Sequence, residues 1–175
     1  MIIRFYNNYE TDESVNSKIS GNKSDKINWL FDGNGLPTSS TQMSKYLSTF
    51  TIPIINESGI KTTMKITMHK KLEYNIINIF TEISNIGFKI IAKQTGGYNW
   101  RMTTSGKSRS QHSYGTCIDI NWNYNPYYSN PSTKLPTSEY AITSKVVSIF
   151  AKYGWSWGGN WTSSKDYMHF SYLGG

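Results

Sequence analysis

The chain reads as an α+β protein: an antiparallel sheet with helices packed on one side. Three observations predict this. Residues 72–86 and 142–153 carry apolar side chains at helical spacing. Residues 61–68, 116–121 and 166–172 instead alternate as half-buried strands do. Helices and strands do not recur in a regular βαβ order, which argues against a parallel sheet.

A chain of 175 residues is expected to form one domain with a substantial core. We place the core over residues 37–173 and treat residues 1–36 as an ill-defined leading segment. Residues 1–6 fit an edge strand, and residues 7–25 are polar and turn-rich. Ile27, Trp29, Leu30 and Phe31 make a short apolar patch ahead of Asp32-Gly33-Asn34-Gly35. No chemistry is assigned to this region. After Pro37, the hydroxyls of Thr38, Ser39 and Ser40 offer caps for a short helix reaching Leu47.

Residues 51–55 suit a strand, 56–59 a turn, and 61–68 a second strand with Met64, Ile66 and Met68 on one face. Leu72, Ile76, Ile79, Phe80, Ile83 and Ile86 then form the stripe of a core-facing helix, with Gly87 placed to close it. Residues 88–92 continue as a strand. Residues 95–98 turn into Asn99-Trp100-Arg101, and 102–109 form a polar loop. In the strand over 116–121, Ile118 and Ile120 face one side while Cys117, Asp119 and Asn121 face the other. A long loop over 123–137 precedes the second helix, which has Ser138 near its start, Ile142, Val146, Ile149, Phe150 and Tyr153 on one face, and Gly154 at its end. Residues 155–157 form a strand entering a glycine turn. In the last strand, Met168, Phe170 and Tyr172 oppose Tyr167, His169 and Ser171.

The net charge of +7 suggests an anionic partner, either nucleic acid or a wall rich in phosphate and carboxylate. Only Arg4, Arg101 and Arg109 are arginines, and the lysines are scattered rather than striped. Nucleic acid is therefore not the expected partner. No run of ~18 apolar residues exists to span a membrane, and the polar turn after Tyr6 leaves no signal-peptide core. The expectation is a protein that accumulates in the cytoplasm until lysis, or a trimmed domain. Leu173-Gly174-Gly175 reads as a linker toward a further module. Cys117 is the single cysteine, so intramolecular disulfides and cysteine-rich metal sites are excluded.

The readable chemistry starts at His112 and Asp119, an imidazole and a carboxylate seven residues apart with Gly115 between them. Zn²⁺ accepts both donor types. Gly115 lets the loop fold back so that the two side chains converge. The chain has two other histidines. His69 has no carboxylate at ligand spacing and is followed by Lys70-Lys71, which makes it a structural histidine. His169 faces away from Met168 and Phe170 and is the candidate third ligand. Asp166, in the turn leading in, is placed to take a proton from an attacking water.

Ser110-x-His112-x-x-Gly115-x-Cys117-x-Asp119 followed by Asp166-x-x-His169 resembles the zinc D-alanyl-D-alanine carboxypeptidase and L-alanyl-D-glutamate endopeptidase family of bacterial and phage peptidoglycan enzymes. The likeness extends to residues 96–101, to Asn121 with Asn125-Pro126, and to Trp157-Gly158-Gly159-x-Trp161. It spans roughly residues 45–173. The resemblance implies a hedgehog/DD-peptidase-like fold and one zinc per chain held by His112, Asp119 and His169. It implies Asp166 as catalytic base and Arg101 as the group that binds the substrate carbonyl or carboxylate and the developing oxyanion. Ser110 would steady the ligand loop, and Trp100 and Trp161 would line the cleft. The implied partner is a peptidoglycan stem peptide, met by a monomer at the bacterial wall, with L-Ala–D-Glu endopeptidase activity of endolysin type favoured over D-Ala–D-Ala carboxypeptidase activity.

One departure stands out. The family usually has alanine where this chain has Cys117. A small buried residue costs the site little, yet the order Cys117…His169 also admits a cysteine-peptidase mechanism. Against it, a mid-strand position lacks the helix N-terminus or cation that activates a thiol. A non-catalytic, zinc-containing wall-binding or signalling domain of the same fold is the remaining alternative, and Asp166 argues for the enzyme.

Overall fold

The structure is a computed structural model that describes residues 21–135 and 137–174. The expected edge strand over residues 1–6 lies outside them. The α+β class holds, with antiparallel ladders throughout, but one sheet is replaced by three small ones.

The segment ahead of residue 37 contributes to the core. Asn22 caps helix α1 (Lys23–Leu30), its side chain accepting from the Asp25 amide. Leu30 and Phe31 after it are fully buried. Lys26 donates to the carbonyls of Gly154 and Tyr172, tying α1 to the end of the chain. Ser39 caps a short helix α2 (Ser40–Ser44), which stops well before Leu47. That residue instead opens β1 (Leu47–Ile55), where Phe50, Ile52 and Ile54 alternate inward. Ser48 and Thr49 are weak helix formers, and the buried alternation after them favours the strand. β1 pairs antiparallel with β2 (Lys61–His69) along its whole length, Leu47 opposite His69 and Ile55 opposite Lys61.

Helix α3 (Glu73–Asn85) buries Ile76, Ile79, Phe80 and Ile83 and packs on β1. The strand expected over 88–92 does not form. Ile55 makes one bridge to Lys89. The Asn121 side chain then takes the next backbone groups, accepting from the Ile91 amide at 2.8 Å and donating to the Lys89 carbonyl at 3.0 Å. A side chain has replaced the missing ladder.

Helix α4 (Ser144–Lys152) starts later than expected because Thr143, not Ser138, is its cap. It packs on α3 and sets Phe150 in a stack 3.9 Å from Phe170. The second sheet is β3 (Cys117–Asp119), β7 (His169–Ser171) and β5 (Ser156–Trp157), in the order β3-β7-β5. The third pairs β4 (Tyr127–Tyr128) with β6 (Lys165–Asp166). The final strand expected over 166–172 is therefore two strands, and Asp166 lies on β6 rather than in a free turn. No helix among the described residues is long and apolar enough to cross a membrane.

Candidate metal centre

His112 is delivered by a single 3₁₀ turn, Gln111–Tyr114, capped by Ser110, whose hydroxyl accepts from the His112 amide at 3.3 Å. The turn ends at Gly115, φ +60°, where a Cβ would stand 2.6 Å from the His69 amide nitrogen. Glycine is needed there for the left-handed backbone and for the close approach to β2. Ser113 exchanges hydrogen bonds with the Arg101 amide and carbonyl, both 2.8 Å, so the segment carrying Arg101 is fastened to the same turn.

Asp119 and His169 face each other across the β3–β7 ladder. His169 Nδ1 lies 2.9 Å from Asp119 Oδ1, and His112 Nε2 lies 3.0 Å from Asp119 Oδ2. His112 Nδ1 sits 2.6 Å from the Gly97 carbonyl. A carbonyl only accepts, so that nitrogen carries a proton, and in its neutral form the ring turns a bare Nε2 inward. The buried Nε2 makes no hydrogen bond despite its nearness to Asp119. Two acceptors that close require something positive between them, either a proton on the ring or a metal ion. These donors fit zinc: two imidazoles and a carboxylate converging, with the tautomer of one set from behind.

The charges follow from this packing. Burial alone would lower His112, but the contact with Asp119 prevails and its pKa is raised. Burial would raise Asp119, yet its close contacts with His112 and His169 hold it well below the usual carboxylate range. Asp166 goes the other way. Burial, joined by the charge of Asp119, pushes it up to about 6 against the pull of His169. Its buried Oδ1 has no partner. Asp166 is packed over Gly158, where a Cβ would meet the Asp166 carbonyl oxygen at 2.5 Å. Lys165 beside it donates to the carbonyls of Gly159 and Trp161, and the Trp161 ring stands 5.7 Å from that of His169.

The structure thus brings His112, Asp119 and His169 together, with Asp166 electrostatically coupled to all three. The Arg101 side chain is exposed, and its charge acts on His112, Cys117 and Asp166. Trp100 sits beside the loop that carries Arg109. Its half-buried ring lies under the Arg109 guanidinium, 4.4 Å away, and packs edge-on to Tyr114. His69 is fully buried, stacked on Tyr46 and edge-on to Phe31, a packing histidine.

Two features escaped the sequence reading. The Gly97 carbonyl behind His112 has no side chain to mark it. Cys117 has a ligand atom within 4.8 Å of those of both His112 and His169. The alternation that puts it on the face of Asp119 was the available signal. Burial, followed by the charge of Asp119, raises its thiol pKa well above the ordinary value, which disfavours the thiolate that a cysteine-peptidase mechanism needs.

A family model described as D-alanyl-D-alanine carboxypeptidase matches residues 103–172, less than half of the chain. The matched stretch contains His112, Cys117, Asp119, Asp166 and His169, and it leaves out Trp100 and Arg101. Neither the curated proteins nor the solved structures yield a match.

Proposed function

We propose that the chain is a zinc-dependent peptidase that hydrolyses an amide bond of the peptidoglycan stem peptide. The observation that carries this reading is the convergence of His112, Asp119 and His169 on one buried point, inside the stretch that resembles a wall peptidase. In this reading the three residues hold one zinc ion. Bound there, zinc supplies Lewis acidity and makes water acidic enough to be deprotonated near neutral pH.

The remaining work falls to the chain's own side chains. Arg101 offers its fork of N–H donors to the scissile carbonyl oxygen and stays with it as negative charge develops. Asp166 accepts the proton of the attacking water through its unpartnered Oδ1 and passes it to the departing amine. A pKa of about 6 leaves Asp166 ionised at neutral pH yet basic enough for this exchange. Ser110 holds the His112 turn, Gly97 holds the ring, and Trp161 forms a wall beside His169.

For the bond attacked, we favour L-Ala–D-Glu, with the enzyme acting at the bacterial wall as a lysis enzyme. The description of the matched family supports cleavage of D-Ala–D-Ala as the second reading. Digestion of purified peptidoglycan, with mass analysis of the products, separates the two. New amino-terminal glutamate marks the endopeptidase, and free D-alanine marks the carboxypeptidase. Activity that survives a strong chelator overturns the zinc mechanism under either reading.

A further inference from the structure

We infer that Cys117 is a fourth donor of the metal centre, one that a soft divalent cation recruits, so that this chain's site binds cadmium-like ions through sulfur as well as zinc through nitrogen and oxygen. The inference rests on the metal reading above and extends it to a residue that the reading does not use.

The placement comes from β3. Cys117 and Asp119 are two residues apart on one strand and so share a face. Across the ladder, Cys117 opposes Ser171 while Asp119 opposes His169. This brings Sγ within 4.8 Å of the ligand nitrogens of His112 and His169. A second, independent observation points to a ligand at the same spot. His112 is 4% exposed, and its Nε2 is aimed into the cluster, 3.0 Å from Asp119 Oδ2 but making no hydrogen bond. Two donor sets thus share the two histidines. One is completed by the Asp119 carboxylate, the other by the Cys117 sulfur.

The ions divide between these sets by softness. Zinc is borderline and is served by imidazole and carboxylate, with a position left for water. A larger, softer cation gains most from thiolate. When it binds, the Cys117 S–H bond gives its proton to solvent and a sulfur–metal bond forms, with no redox change. Such a cation fills with sulfur the position that hydrolysis needs open, and the centre then resembles a closed structural site rather than a catalytic one.

The test uses the full chain freed of metal by chelation and titrated with zinc or cadmium. Cys117 is the only cysteine, so a sulfur-to-cadmium charge-transfer band in the near ultraviolet has one source. The expected result is one cadmium per chain with that band in the native protein. In Cys117→Ala the band is absent and cadmium affinity falls roughly 10–100-fold, at least the loss seen when a metal site's supporting groups are removed. Zinc affinity changes by no more than a few-fold, which also reports that the variant has folded. Stoichiometric cadmium without the band in the native protein overturns the inference and leaves the zinc reading standing. Failure of the native protein to take up either ion in equilibrium dialysis overturns the zinc reading and this inference together.

Discussion

The β1–β2 hairpin and the β3–β7 ladder are both antiparallel pairs, yet they are held in different ways. The hairpin pairs nine residues with nine in unbroken register, and its inward side chains rest on α3. The ladder pairs three with three, too few to keep a register on their own. Its order comes from side chains that bind backbone. The Asn125 side chain donates to the carbonyls of Ile120, Asn121 and Tyr140 and accepts from the Ile142 amide. Gln111 bridges Ser171 and Gly174. The hairpin is kept by repeated burial and the site by individual bonds, so damage to the two should differ in kind.

His112→Ala is the largest expected change. It removes one of three convergent donors. Zinc affinity should fall by more than about 100-fold and wall hydrolysis to background, while the hairpin and the far-ultraviolet circular dichroism remain native. Retained stoichiometric zinc in dialysis would remove His112 from the ligand set.

Asp166→Asn comes next. Zinc should stay bound, and kcat should fall by about 10²–10⁴-fold, the usual worth of a general base. In the native enzyme a base must be ionised to work, so activity should decline as pH falls through a limb no higher than about 6. The same shift has a stability sign. The folded carboxyl holds its proton above the ordinary carboxylate pKa. The stability this provides is present at low pH and lost as pH rises through about 6. The metal-free Asn variant escapes that loss and should be more stable at pH 7 by roughly 3 kcal/mol. A fully active variant would sink the base assignment.

Gly158→Ala probes the same residue through its packing. The added methyl meets the Asp166 backbone, so the strand must shift. Stability should drop by about 1–3 kcal/mol, and kcat by about 100-fold if Asp166 is displaced by ~1 Å. Steady-state kinetics alongside urea melts read both effects.

Ile79→Ala should touch turnover least. It empties a fully buried position on α3 and should cost about 2–5 kcal/mol in denaturant unfolding, with kcat per folded molecule unchanged. If scaffold and site variants alter kcat alike, the contrast between the two regions is wrong.

The same contrast explains what could be read in advance. The α3 stripe, β2 and the helix before Tyr153 were legible because burial repeats at 3.6 or 2 residues. Two of the misreadings fell where a side chain bound backbone across a long separation. Asn121, at φ +48°, ends β3 and holds residues 89–91 in place of a strand. Asn125 occupies the Ile142 amide, and Thr143, the next residue, caps α4. Nothing local to residues 88–92 or to Ile142 announces the two asparagines.

By itself, the sequence determined the α+β class, the two helical stripes, and the set of residue types able to hold a borderline metal. Those properties follow from spacing, from composition, and from having only three histidines to choose among. Tertiary structure alone decided that His112 would present Nε2 and not Nδ1, because the Gly97 carbonyl claims the other nitrogen. It also decided that the two histidines would hold Asp119 low while burial raised Asp166, and that Cys117 would join the two histidines. Distances and desolvation belong to the folded chain, since they are set by atoms that lie far apart in sequence.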